Sequence, residues 1–313
     1  MMAGLPAGPV VCVSYLAAAS LWTVDHFPSA NHGAAVRTVE PSIAADGPMA
    51  AAVLAALEVP VLVLTNDFGD DAGAVQVQAW LRLHRVASTA RPVPDGATSH
   101  IVIVADDDGT RTWFPYLPGV LEGLMSLDLA PLTTASFAYV DCYQLIEPAS
   151  IRAIEAARRA EVPLLVNLGG SSLSPAAAAA LVDYPGLVIQ TNVDDAAHGD
   201  ASAVAASLLK QTRASWVVVT AGAFGAVAVS PNSRVSVPAF EVAVRHTHCA
   251  GAAFSGGLIF GLRAGWPMRE TLELAAASGS LRCERPHHEP LPDLDQLRAF
   301  ISSRARLAAP AAG

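Results

Sequence analysis

Lysine is almost missing from this chain of 313 residues: Lys210 stands alone, and the other cations are arginines. Charged residues make up only 15% and aromatic residues 6%, against 52% hydrophobic residues. So little charge and so much apolar material exclude a disordered chain and leave enough to fill a sizeable core. Nineteen cations against 28 Asp and Glu give a formal charge of −9, the wrong sign for a nucleic-acid groove or an anionic-membrane anchor. Four cysteines, Cys12, Cys142, Cys249 and Cys283, are widely spaced and form no C-x-x-C pair. A disulfide framework is not expected in so large an apolar chain; reduced thiols in a cytoplasmic protein are. No uninterrupted apolar run is long enough to span a membrane. The apolar start lacks a basic segment and is interrupted by Gly and Pro, so it reads as a first buried strand. Abundant alanine beside scarce lysine matches the coding bias of a GC-rich genome.

What is present is alternation. Short apolar runs at Val10–Val13, Val59–Leu64, Phe137–Val140, Val162–Val166, Leu187–Gln190 and Trp216–Thr220 have the length of strands buried on both faces. Helical stretches fall between them, at Gly47–Glu58, Ala72–His84, Pro148–Ala160, Pro175–Val182 and Ala201–Gln211. Such alternation implies an α/β fold with a doubly wound, mostly parallel sheet, whose ligands bind beyond the carboxyl ends of the strands. Ser20–Val24, Ala34–Val39, His100–Ala105 and Arg111–Phe114 break the rhythm, and Asp106-Asp107-Asp108-Gly109 reads as a hairpin turn. These strands are expected to form a small separate sheet over the mouth of the site. Three helices, Ala250–Ala264, Met268–Leu281 and Leu294–Leu307, are expected to close the chain. Length alone suggests two domains, or one large domain with an appendage.

One stretch is more specific. His246-Thr247-His248-Cys249-Ala250-Gly251-Ala252-Ala253-Phe254-Ser255-Gly256-Gly257 is similar to the signature D-T-x-G-A-G-D-x-F-x-x-G of the ribokinase-like, or PfkB, carbohydrate and nucleoside kinases. Thr220-Ala221-Gly222-Ala223-Phe224-Gly225 resembles that family's nucleotide-contacting T-x-G-x-x-G, and Asn192-Val193-Asp194-Asp195 its magnesium-organising N-x-x-E. The order of elements fits from about Val10 to Phe300. The resemblance implies one ribokinase-like domain over 1–313, with a β-sheet lid inserted at about 20–40 and 98–116. It further implies a small-molecule ligand, ATP with Mg2+ if nucleotide use is kept and no cofactor if it is not, and a homodimer formed through the lid.

The same resemblance exposes losses. Phosphoryl transfer to an alcohol needs a general base, an anion-stabilising site and a held acceptor. The family's base, the last Asp of G-A-G-D, is Ala252 here, and a methyl group accepts no proton. Ala250, Gly251 and Ala252 keep the place of the anion hole at a helix start, but Cys249 replaces its first glycine. In the implied substrate pocket Ala19 takes the place of an acceptor-binding aspartate, close to Ala17. Asp46 and Met49 fall in the segment that carries a paired-glycine hinge and an asparagine in the family, and Asn167 in its D-x-N element. Loss of ordinary sugar phosphorylation is therefore expected, with the cleft kept for binding or recruited to other chemistry. The alternative is an atypical ATP-dependent kinase in which Asp46 or Asp195 serves as base. His246, His248 and Cys249, with Cys283, His287 and His288, offer imidazole and thiolate for acid–base or nucleophilic steps, as in a recruited lyase, isomerase or transferase. The same groups also suit a zinc-type ion, although neither spacing matches a standard zinc site.

Overall fold

The computed structural model describes residues 7–107, 111–286 and 289–304. The expectations placed on Asp108, Gly109, His287, His288 and the end of the last helix beyond Arg304 lie outside them. The strands are β1 (Val10–Val13), β2 (Ala17–Thr23), β3 (Thr38–Ala44), β4 (Val61–Leu64), β5 (Ala87–Ser88), β6 (His100–Ala105), β7 (Arg111–Tyr116), β8 (Phe137–Asp141), β9 (Leu164–Asn167), β10 (Leu187–Asn192), β11 (Trp216–Thr220), β12 (Ala226–Val229) and β13 (Arg234–Val237). The helices are α1 (Asp46–Ala56), α2 (Ala72–Leu83), α3 (Val120–Met125), α4 (Glu147–Arg159), α5 (Pro175–Leu181), α6 (Ala201–Thr212), α7 (Ala250–Arg263), α8 (Met268–Glu284) and α9 (Leu294–Ser303).

The main sheet runs β13-β12-β11-β10-β9-β8-β1-β4-β5. From β11 to β5 its pairs are parallel, and β12 and β13 add an antiparallel edge. The expected doubly wound α/β sheet is therefore present. Its central strands, VVCV and LLVN among them, are buried along their whole length, because helices cover both faces. One apolar cluster joins α1, α2, α7 and α8 on one face, and a second joins α4, α5 and α6 on the other.

The small sheet has the order β3-β2-β6-β7. It is mixed: β2 and β6 run parallel, while β2–β3 and β6–β7 are antiparallel. Two of its strands differ from expectation. The strand expected at Ala34–Val39 runs Thr38–Ala44, and the one expected at Ser20–Val24 begins at Ala17. Alanine is a weak β-former, so Ala17–Ala19 carry no strand signal of their own; full burial on both faces holds them in the sheet. Pro41 is accommodated because β3 is an edge strand. Beneath this sheet a third apolar cluster gathers Tyr15, Ala17, Ala19, Ala44, Ile101 and Ile103 with Val120 and Ile146.

Candidate functional site

The parallel strands end in a row of polar residues: Ser14 after β1, Asn66 after β4, Asp141 in β8, Asn167 in β9, Asn192 in β10 and Thr220 in β11. Register aligns the row in two parts: Asp141 pairs with Asn167 and Asn192 with Thr220, while Asn167 faces Gln190, two residues before Asn192. The start of α7 reaches the same end of the sheet, where Gln190 Nε2 of β10 donates to the Gly251 carbonyl at 3.3 Å.

At one end lies a buried polar knot. Asp141 is fully buried. It accepts hydrogen bonds from Ser14 Oγ at 2.5 Å and the Gly47 N–H at 3.0 Å through Oδ2, and from Tyr139 at 2.6 Å and Tyr143 at 3.0 Å through Oδ1. Asp46, the first residue of α1, accepts from Tyr143 at 2.7 Å and from Asn167 Nδ2 at 2.8 Å. Burial, and then the charge of Asp46, push the Asp141 carboxyl up to about 6. Burial, and then the anionic charge of Asp141, raise the Tyr139 and Tyr143 hydroxyls well above their ordinary range, so both act as neutral donors. Asp46 and Asn167, which sequence reading placed in the substrate pocket, are brought together here. Asp141, Tyr139, Tyr143 and Ser14 were missed; the available signal was a charged residue directly ending an apolar strand run, at the end where α/β ligands bind.

This knot predicts an unusual pH response. Asp141 holds its proton more tightly in the folded chain (about 6) than at its ordinary value of 3.8. Its contribution to stability therefore grows as pH falls through about 6 and is complete below about 3.8. Urea unfolding of wild type and Asp141→Asn, compared at pH 7 and pH 4.5, should show the difference moving in favour of wild type by on the order of 1–3 kcal/mol on acidification. An unchanged difference would remove Asp141 as the group responsible.

The other substrate-pocket positions are apolar and closed. Ala17 and Ala19 have no exposed surface and Met49 has 1%. Ala252 is also fully buried, in the apolar cluster that contains Met49. The start of α7 is more open. Gly251 is exposed, and a Cβ there would meet nothing within 4 Å. Cys249 caps α7 in the left-handed region at φ 60°, where the resembling motif has glycine.

The His-Thr-His-Cys run does something other than present reactive groups. Burial pushes His248 down to about 3 and His246 to about 4, while it lifts the Cys249 thiol to about 12. At neutral pH the imidazoles are thus uncharged and the thiol is protonated. His248 Nε2–H donates to the Ile43 carbonyl of β3 at 2.9 Å, and Arg111 of β7 donates to the Thr247 carbonyl at 2.7 Å. His246 meets the Arg285 carbonyl at 3.0 Å, and the Arg245 N–H donates to Cys283 O at 2.9 Å, so this loop also packs on the end of α8. Arg282 of α8, 4% exposed, places its cation near Cys249, Cys283 and both histidines and helps to keep the latter neutral. Among the described residues no three His, Cys, Asp or Glu side chains come together to hold a metal ion.

At the far end Asn192, Asp195, Thr220, Gly222 and Gly225 form one group. Gly222 sits at φ 51°, and a Cβ on it would lie 2.1 Å from Asp195 Oδ1. Only glycine lets the turn after β11 approach that carboxylate. Gly222→Ala should therefore displace Asp195, with a stability loss of only about 1–2 kcal/mol by urea unfolding. Beside this turn, the exposed Phe224 ring stacks on His198 at 3.8 Å.

A family model described as pfkB family carbohydrate kinase matches residues 47–293. No curated protein matches the chain. Several solved structures do. Arabidopsis thaliana ribokinase complexed with ribose and ATP is 18% identical, with 94% of this chain and 99% of that one covered and a TM-score of 0.74. A microbiome-derived acarbose kinase is 18% identical over 95% and 99%, with a TM-score of 0.75. A putative ribokinase II from E. coli in complex with ATP and Mg2+ is 16% identical over 95% and 99%, also with a TM-score of 0.75. At these identities the likeness establishes a shared fold.

Proposed function

Because this chain belongs to the pfkB family of carbohydrate kinases, we propose that it is a member that has lost ordinary sugar phosphotransfer and keeps its cleft for a small-molecule ligand, with binding or recruited chemistry in place of kinase turnover. The observation that carries this reading is Ala252. It occupies the place of the family's base and is sealed with Met49 in an apolar cluster. Without a base the rate falls by about 10²- to 10⁴-fold. The closed alanines at 17 and 19 also leave no polar side chain there to hold a sugar hydroxyl.

The nucleotide end supports retained ATP and Mg2+ binding. Thr220, Gly222 and Gly225 would shape the phosphate turn, Asn192 and Asp195 would hold the ion through water, and Ala250, Gly251 and Ala252 would offer the α7 N-terminus to an anion. The open space beside Gly251 and the glycine-only approach at Gly222 fit such a group. His248 and Cys249, held neutral, support packing more than acid–base or nucleophilic work at neutral pH. Four free thiols support a cytoplasmic location. Exposed Trp113, Phe114 and Tyr116 on β7 support a homodimer through the small sheet.

Calorimetry with magnesium–ATP and a phosphotransfer assay over a sugar and nucleoside panel test this reading, with binding and phosphotransfer about 10²-fold or more slower than in an ordinary kinase expected. One observation favours the alternative of an atypical kinase. Asp46 is only half-buried, stands at the cleft and raises the Cys249 thiol through its charge, which places it near the start of α7. If Asp46 is a surrogate base, Asp46→Asn abolishes whatever turnover exists.

A further inference from the structure

One carboxylate oxygen beside the polar knot is held in place and left unused. Asp46 accepts from the Tyr143 hydroxyl at 2.7 Å and from Asn167 Nδ2 at 2.8 Å, both through Oδ2. Its Oδ1 accepts from no described residue and is not sealed from solvent. The Tyr15 hydroxyl is in the same condition, although its ring is buried edge-on to Tyr143 with 6.4 Å between centroids. The surroundings of these two oxygens are negative. Buried Asp141 is joined to Asp46 through the single Tyr143 hydroxyl, which stands 3.0 and 2.7 Å from their oxygens. Burial, and then the charges of Asp141 and Asp46, raise the Tyr15 hydroxyl above its ordinary range, and no arginine opposes them there. Arginine is felt at Cys249, where burial is followed by the opposed charges of Arg282 and Asp46. No ion pair among the described residues includes Asp46 or Asp141.

We propose that this end of the cleft takes a sugar or polyol bearing a primary ammonium group, which donates to Asp46 Oδ1 and to the Tyr15 hydroxyl oxygen. Two of the three N–H donors of an ammonium are met in this way, and the third is left for water. A charge-assisted bond to a carboxylate already fixed by two donors asks for no rearrangement of the protein. A neutral hydroxyl in the same place makes one such bond but leaves both carboxylates without a counter-charge, so the ammonium binds more tightly. A metal ion finds no ligand set here, since no three His, Cys, Asp or Glu side chains come together among the described residues. The inference rests on the reading that the cleft is kept for a small-molecule ligand and names the class of that ligand; it does not require phosphotransfer to be lost.

Calorimetric titration of the full-length protein at neutral pH tests it, with matched pairs that differ in one amino-for-hydroxyl replacement: glucosamine against glucose, galactosamine against galactose, and mannosamine against mannose. At least one amino sugar should bind about tenfold or more tightly than its parent, and the advantage should shrink in about 1 M salt. Asp46→Asn keeps the volume and an acceptor for Tyr143 and Asn167, so the fold should survive, and that pair should then bind within about twofold of each other. Tyr15→Phe removes a hydroxyl that no described residue uses, so it should weaken the amino sugar several-fold and leave thermal unfolding unchanged. Equal or tighter binding of every parent sugar, or no binding of any amino sugar, would overturn the inference. An advantage that persists in a folded Asp46→Asn variant would place the ammonium elsewhere and overturn it as well. Phosphotransfer is read separately: turnover of a sugar would contradict the lost kinase activity and leave an amino-sugar preference standing, whereas a preference for parent sugars would sink this inference and leave the kept cleft standing.

Discussion

Ala252→Asp is expected to unfold or severely destabilise the protein and not to restore a kinase. In the family resemblance this single change rebuilds the missing base. In this structure it forces a carboxylate into a position with no exposed surface, inside an apolar cluster shared with Met49 and Phe254. An ionised carboxylate buried without a partner costs about 3–5 kcal/mol, a large share of the roughly 5–15 kcal/mol that holds such a protein together. Thermal unfolding should show a clear drop in Tm, and a phosphotransfer assay should show no product. A stable variant that gained turnover would mean that the side chain at 252 reaches the cleft and that only the base had been lost. Met49, where the resembling family carries a hydroxyl-binding asparagine, is buried in the same apolar cluster.

Asp141→Ala is expected to cost about 3–5 kcal/mol, comparable to removing a large core side chain. The loss divides unevenly among the donors. Ser14 retains the Tyr15 carbonyl at 3.0 Å, and Tyr143 retains Asp46. The Gly47 N–H and the Tyr139 hydroxyl proton lose their acceptor in a dry setting, at about 1–3 kcal/mol each. A small cavity adds to this. Asp141→Asn keeps an acceptor oxygen and the volume, so it should cost markedly less. Urea unfolding of the two variants at pH 7 checks the order, and an equal loss in both would show that charge, not donor satisfaction, is what the site requires.

The main sheet was legible because its strands are dense β-branched runs between helix patterns: Val10–Val13, Leu164–Asn167 and Trp216–Thr220 fall where such runs occur. Strands β12 and β13 escaped notice because AVAV and RVSV are short and follow the strand they pair with at a turn. In the small sheet, position was harder to read than existence. Ala17–Ala19 and Ser42–Ala44 owe their strand state to burial, which a single sequence does not display. The candidate site was legible where it rests on backbone, at Gly222, Gly225 and Gly251, since glycine marks close approach or open space. The polar knot was not, because Ser14, Asp46, Asp141 and Asn167 are distant in sequence and meet only through strand register and the α1 start. The histidine–cysteine run was visible for its composition, but its role followed from burial and from the β3 carbonyl that His248 meets.

The central claim is that this pfkB-family cleft binds without phosphorylating by the family's route. The most direct measurement combines calorimetric titration of wild type with magnesium–ATP and a phosphotransfer assay on the same preparation over sugars and nucleosides. Saturable nucleotide binding with phosphotransfer about 10²-fold or more slower than in an ordinary kinase is the predicted result. Turnover of 1 s⁻¹ or faster, in the ordinary enzymatic range of roughly 1–10³ s⁻¹, would contradict it.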